Sequence, residues 1–180
     1  MNPETVIKEN LLYQGKALRF YVQETQLPDG HTIRRSIARS PGAVVIVPIT
    51  DRQEVRMIKQ YRAAAEKWVI ELPAGTLAPG ERPQEAAPRE LLEETGDRAA
   101  SWQALPGFYT APGFLDEFLY LFLAMDLTPG PNHLEADEHI EVLTIPWTEA
   151  IRMVRRGEVE DAKTISGLFQ AGLHLNLPLI

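Results

Sequence analysis

The chain has 180 residues, 18 of them basic and 25 acidic, for a formal net charge of -7. That length supports one domain, or one with a small appendage, and 44% apolar with 24% charged residues excludes wholesale disorder. No apolar run reaches the ~20 residues of a membrane helix, Met1–Asn10 is too polar for a signal peptide, and zero cysteines exclude disulfides and thiolate metal sites, so a cytoplasmic protein that binds neither membrane nor nucleic acid is expected.

The opening stretch reads as strands over 5–13, 18–27 and 32–38. Pro28-Asp29-Gly30 supplies the turn between the last two, proline presetting φ and glycine tolerating φ > 0. Ser40-Pro41-Gly42 then punctuates the chain before 43–49, an almost unbroken apolar run of strand length. Further strands are predicted over 55–61 and 67–72, with Asp51-Arg52-Gln53 turning the first of these hairpins. A helix is predicted over 83–95: Pro83 suits its first position and Gly96 the left-handed residue beyond its end. Strands at 102–109, 117–125 and 140–146 follow. Thr148 is expected to cap a helix ending at Arg156, and Asp161 a last one running to about His174. Strands with a few inserted helices define an α+β protein. Residues 1–40 are expected to form a small N-terminal antiparallel β subdomain and 41–180 the main domain.

The charge is unevenly placed. Residues 1–70 sum to +4, whereas 71–97 sum to -5. On a helix turning 100° per residue, Glu90, Glu93 and Glu94 fall within one arc of about 100°. Carboxylates so crowded repel unless a cation lies among them, and oxygen ligands favour a hard ion, magnesium or else manganese. Arg89 can hold one of them through a forked hydrogen bond. Leu91, Leu92 and Pro88 cluster at 100–200°, which predicts a core-facing arc opposite the carboxylates. Read from these residues alone, a solvated acidic face remains an equal alternative.

Gly75, Glu81, Arg89, Glu90, Leu91, Glu93, Glu94 and Gly96 stand at the spacing of the Nudix hydrolase signature, and the chain resembles that family over most of residues 41–180. The resemblance implies an α/β/α sandwich with a mixed sheet, this box forming loop–helix–loop. It also implies magnesium-dependent hydrolysis of a nucleoside diphosphate linked to another group. Glu90, Glu93 and Glu94, with the backbone carbonyl of Ala74, are then the metal ligands, and Glu81 and Arg89 support them. Two positions depart from the pattern. Asp97 stands where the family prefers an apolar residue, and Pro88 lies inside the helix, where it removes a hydrogen bond and predicts a bend.

Four further segments resemble the ADP-ribose pyrophosphatases of the family: 59–62, 68–75, 111–117 with Pro112, and 161–164. Arg62 is a candidate phosphate clamp, since a guanidinium grips phosphate with two bonds. Glu71, Trp68 and Phe114 are further candidates for substrate contact, with core packing the alternative for the aromatics. Arg34, Arg35 and Arg39 add positive charge to the N-terminal strands, which in this subfamily typically reach into the partner's site of a homodimer. Glu138, with Glu135 in reserve, lies in an acidic run placed to supply the general base that deprotonates the attacking water. The reaction expected is ADP-ribose to AMP and ribose 5-phosphate. Alternatives are other nucleoside diphosphate sugars, such as GDP-mannose, or a nucleotide-sensing domain without catalysis.

Overall fold

The computed structural model describes residues 4–131 and 139–179. Its strands are β1 (Thr5–Gln14), β2 (Arg19–Gln26), β3 (Thr32–Arg39), β4 (Ala43–Pro48), β5 (Glu54–Arg62), β6 (Lys67–Glu71), β7 (Ala74–Thr76), β8 (Arg98–Tyr109), β9 (Phe118–Thr128) and β10 (Ile140–Pro146). The helices are α1 (Pro83–Thr95), α2 (Trp147–Arg156) and α3 (Ala162–Leu175).

The chain divides into two compact units, one of Met1–Gly42 with Tyr109–Phe118 and one of Ala43–Phe108 with Leu119–Ile180. In the first unit, β1, β2 and β3 form an antiparallel meander. The 28–30 turn closes as expected, with Gly30 at φ +87° and its N–H donating to the Leu27 carbonyl at 3.0 Å. The 109–118 segment joins this sheet by backbone: the Ala38 N–H donates to the Phe114 carbonyl at 2.7 Å.

In the second unit, one sheet runs β7-β4-β9-β8 and another β10-β5-β6. The first is mixed, β4 pairing parallel with β9 and antiparallel with β7. Alternation along β4 sends Val45 and Val47 into a core shared with Trp147, Ile151 and Leu168 of α2 and α3. Val44 and Ile46 point the other way, onto Ala86, Ala87 and Leu91 of α1. A strand covered on both faces has no polar side to show, hence the continuous apolar run at 43–49. Helices on both faces of a mixed sheet are the α/β/α sandwich.

Two local expectations are corrected. α2 starts at Trp147, straight after Pro146, with no side-chain cap from Thr148. Trp147 is drawn in because its ring is buried and its indole N–H donates to the Pro178 carbonyl at 2.7 Å. α1 runs unbroken through Pro88. Its buried residues are Ala86, Ala87, Leu91, Glu94 and Thr95, while Pro88 is exposed and Leu92 only half-buried. The buried arc therefore overlaps the carboxylate arc instead of opposing it. The reason is size: two alanines let α1 lie close on Val44 and Ile46, and that rotates Glu94 inward.

Candidate active site

The box folds as a strand, a loop and a helix locked together by the carboxylates themselves. α1 begins at Pro83, whose missing N–H costs nothing there. Glu85 at the third position accepts the Arg82 N–H at 3.4 Å. The helix ends at Gly96, φ +77°, whose N–H returns to the Leu92 carbonyl at 2.9 Å. Glu94, 4% exposed, accepts the Ala74 N–H at 2.9 Å and so ties α1 to β7.

Glu90 is seated by an absence of side chain. A Cβ at Gly75 would lie 1.8 Å from the Glu90 carboxyl carbon and 2.0 and 2.2 Å from its oxygens. Only glycine leaves room for that carboxylate on β7.

Arg89 organises the remaining acids. Its Nε and Nη2 each donate to an oxygen of Glu81 at 2.8 Å. Its Nη1 donates to Glu90 at 2.7 Å and to Glu93 at 2.9 Å. These three partners, Glu81 foremost, hold the guanidinium far above its ordinary pKa. Arg89 in return, with the Ala78 N–H, holds the Glu81 carboxyl below the usual range.

Among the described residues, no three acidic or histidine groups close on one point as a finished metal cage. Arg89 Nη1 lies between Glu90 and Glu93 instead. The donor set still fits a divalent cation. It consists of hard oxygens on one helical arc, one of them seated over Gly75, where a Cβ would displace it.

Beside this helix, Glu71 at the end of β6 is 2% exposed. It accepts Arg62 through Nε at 2.7 Å and Nη2 at 2.6 Å, and it also pairs with Lys163 of α3. Burial pushes the Glu71 carboxyl up, but Arg62 and Lys163 outweigh it, and the net displacement is downward. The Arg62 guanidinium is raised, first by its bond to Glu71 and further by the charges of Glu94 and Asp161. Arg62 therefore lies within the field of the carboxylate helix.

Asp97, the departure from the box, is no defect. Its carboxylate is 1% exposed and accepts Arg56 Nε at 2.7 Å, and Arg56 Nη1 donates to Thr144 at 2.6 Å. A buried ion pair replaces the apolar contact and pins the exit of α1 to β5 and β10.

Of the residues singled out from sequence, Glu81, Arg89, Glu90 and Glu93 are joined by direct bonds, Glu94 is bonded to Ala74, and Arg62 to Glu71. Trp68 is not brought to them: strand alternation puts it on the face of β6 opposite Glu71. It packs edge-on against Tyr61 at 6.0 Å with Lys59 over its ring. Phe114, 58% exposed, belongs to the other compact unit. Arg34 pairs with Glu24, Arg35 with Glu4, and Arg39 with Glu9 and Asp116. Glu138 and Glu135 lie outside the described residues. Sequence reasoning missed the role of Lys163, whose signal was a lysine two residues after a helix-capping Asp161.

A Nudix domain profile matches residues 39–168, and the chain belongs to the Nudix hydrolase family. Its relatives include the ADP-ribose pyrophosphatase of Bacillus subtilis (strain 168), 39% identical, with 91% of this chain and 89% of that protein covered. The ADP-ribose pyrophosphatase of Mycobacterium tuberculosis (strain ATCC 25618 / H37Rv) is 37% identical, covering 92% and 81%. The crystal structure of an ADP compounds hydrolase superposes with a TM-score of 0.84 at 24% identity, covering 98% of this chain and 96% of that one, a likeness of fold. None of the described helices is long and apolar enough to cross a membrane.

Proposed function

We propose that this chain hydrolyses the diphosphate of ADP-ribose to AMP and ribose 5-phosphate, with magnesium as its ion and manganese as the alternative. The observation that carries the reading is the carboxylate arc of α1, with Glu90 cradled on Gly75 and Arg89 bracing Glu81, Glu90 and Glu93. The names of the two bacterial relatives support the choice of substrate.

When bound, a divalent cation supplies Lewis acidity and offsets the negative charge of the diphosphate. Glu90, Glu93 and Glu94, with the Ala74 carbonyl, would hold it. Arg89 keeps the carboxylates ordered. Arg62, oriented by Glu71, grips the outer phosphate oxygens through the edge of the guanidinium not bonded to Glu71. Glu138 takes the proton of the attacking water, whose oxygen joins one phosphorus while the bridging oxygen leaves with the other.

We also assign residues 1–40 to dimerisation and the chain to the cytoplasm. Val6, Ile7, Leu11, Leu12, Tyr13 and Phe20 leave apolar surface exposed on β1 and β2, as an interface would require. The absence of cysteine suits a reducing compartment.

The experiment is a substrate panel with the purified protein and magnesium: ADP-ribose, GDP-mannose, UDP-glucose, a flavin dinucleotide and a diadenosine nucleotide. The highest kcat/KM is expected for ADP-ribose. A clear preference for GDP-mannose would replace the substrate, and no hydrolysis of any would favour the sensing alternative.

A further inference from the structure

Lys163 stands outside the carboxylate helix, and the reaction as described makes no use of it. Its ammonium group pairs with the buried Glu71 and lies 3.0 Å from Asp161. Asp161 also accepts the Thr164 N–H at 2.9 Å and the Thr164 hydroxyl at 2.6 Å. The Thr164 oxygen accepts in turn the N–H of Leu72, at 2.8 Å, the residue that follows Glu71. The circuit Glu71–Leu72–Thr164–Asp161–Lys163 is therefore closed. Thr164 is fully buried, and Gly167 lets α3 approach closely, since a Cβ there would meet Leu72 at 2.6 Å.

The circuit sets a charge as well as a shape. Arg62 and Lys163 are the cations, Glu71 and Asp161 the anions, and the four sum to zero. Without Lys163 the same cluster would carry a net negative charge, and Glu71 would spend both oxygens on Arg62 alone. A guanidinium so neutralised is a weaker ligand for a dianion. With Lys163 sharing one Glu71 oxygen, more of the Arg62 charge is left for phosphate.

We propose that Lys163 is a positioning residue for the phosphate clamp: by sharing Glu71 it orients Arg62 and keeps the clamp from turning anionic. The inference rests on the reading of Arg62 given above. It concerns ground-state binding of the diphosphate, so it shows in KM and leaves the chemical step alone.

The test compares Lys163→Met, Lys163→Arg and Asp161→Ala in the full chain, following kcat and KM for ADP-ribose and the binding of inorganic pyrophosphate by calorimetry. For Lys163→Met, loss of one unit charge beside a bound dianion is expected to raise KM and weaken pyrophosphate about tenfold, with kcat within about threefold. The deficit should shrink at high salt, and Lys163→Arg should restore most of it. Asp161→Ala separates charge from architecture, because it removes the oxygen that joins Thr164 to Lys163 but leaves the cluster positive. Its KM should stay level or fall. If Asp161→Ala reproduces the defect of Lys163→Met, the role is merely structural and the proposal is overturned. Unchanged KM in Lys163→Met, or no pyrophosphate binding by the wild type, overturns it equally. If ADP-ribose is not cleaved yet pyrophosphate binding follows this pattern, the substrate assignment fails and the role of Lys163 stands.

Discussion

Replacing Gly75 by alanine tests how the site is built more sharply than removing a carboxylate does. The added Cβ would sit 1.8 Å from the Glu90 carboxyl carbon, about half an ordinary carbon–carbon contact. Both groups cannot stay. The Glu90 carboxylate is the far end of a flexible side chain, so it moves and the backbone does not. Leaving its rotamer costs about 0.5–1.5 kcal/mol and losing the bond from Arg89 about 1 kcal/mol, while alanine returns about 0.4–1 kcal/mol by restricting the unfolded chain. The balance is a loss of no more than about 2 kcal/mol, so the melting temperature should fall by no more than about 8 °C. Catalysis has no such compensation. The carboxylate must shift by more than 1 Å and loses its 2.7 Å bond from Arg89, and a displacement of that size costs on the order of 10²-fold in rate. Thermal unfolding and steady-state turnover with magnesium, measured on the same preparation, give both numbers. Turnover within threefold of wild type would refute the cradle. A fall in melting temperature beyond about 10 °C would show that Gly75 serves the fold instead.

Three other outcomes are expected. Pro88→Ala restores a hydrogen bond to the Gln84 carbonyl and removes a clash on an exposed face, so chemical denaturation should show a gain of about 1–3 kcal/mol with turnover unchanged. Arg56→Met alone strands the buried Asp97 carboxylate and should cost about 3–5 kcal/mol, whereas Arg56→Met with Asp97→Leu should return to within about 1 kcal/mol of wild type. If the double variant is no better than the single one, the pair does more than neutralise itself. For acid stability, the folded Glu71 carboxyl lies below its unfolded value of about 4.3, so its contribution is complete above that pH and lost as pH falls through the folded value. Melting temperatures should hold down to about pH 5 and drop below about pH 4, with a shallower drop in Glu71→Gln; an identical acid slope in that variant would count against the assignment.

Where chemistry was written in local pattern, the sequence could be read directly. Pro83 and Gly96 mark the two ends of α1, Asp161 caps α3 through the Thr164 N–H at 2.9 Å, and the 43–49 run announces a strand, which the fold buries on both faces. The carboxylate arc was visible in the spacing of Glu90, Glu93 and Glu94. Which arc of α1 meets the sheet was not, because burial was decided by two alanines fitting Val44 and Ile46 and not by the larger Leu92 and Pro88. Asp97 looked like a fault in the box because its partner, Arg56, lies 41 residues away in sequence. Lys163 was hidden for the same reason, at 92 residues from Glu71. β7 has three residues and no period to detect; it exists because β4 offers an edge beside it.

If the carboxylates of α1 hold the divalent cation that hydrolysis of ADP-ribose requires, activity must depend on both the metal and Glu90. Release of AMP and ribose 5-phosphate should be followed in wild type and Glu90→Gln across a magnesium titration that starts in chelator. No turnover is expected in chelator, with saturable activation by magnesium in the wild type and at least about 10²-fold lower turnover in a folded Glu90→Gln protein. Hydrolysis that proceeds in chelator, or a Glu90→Gln enzyme as fast as wild type, would contradict it.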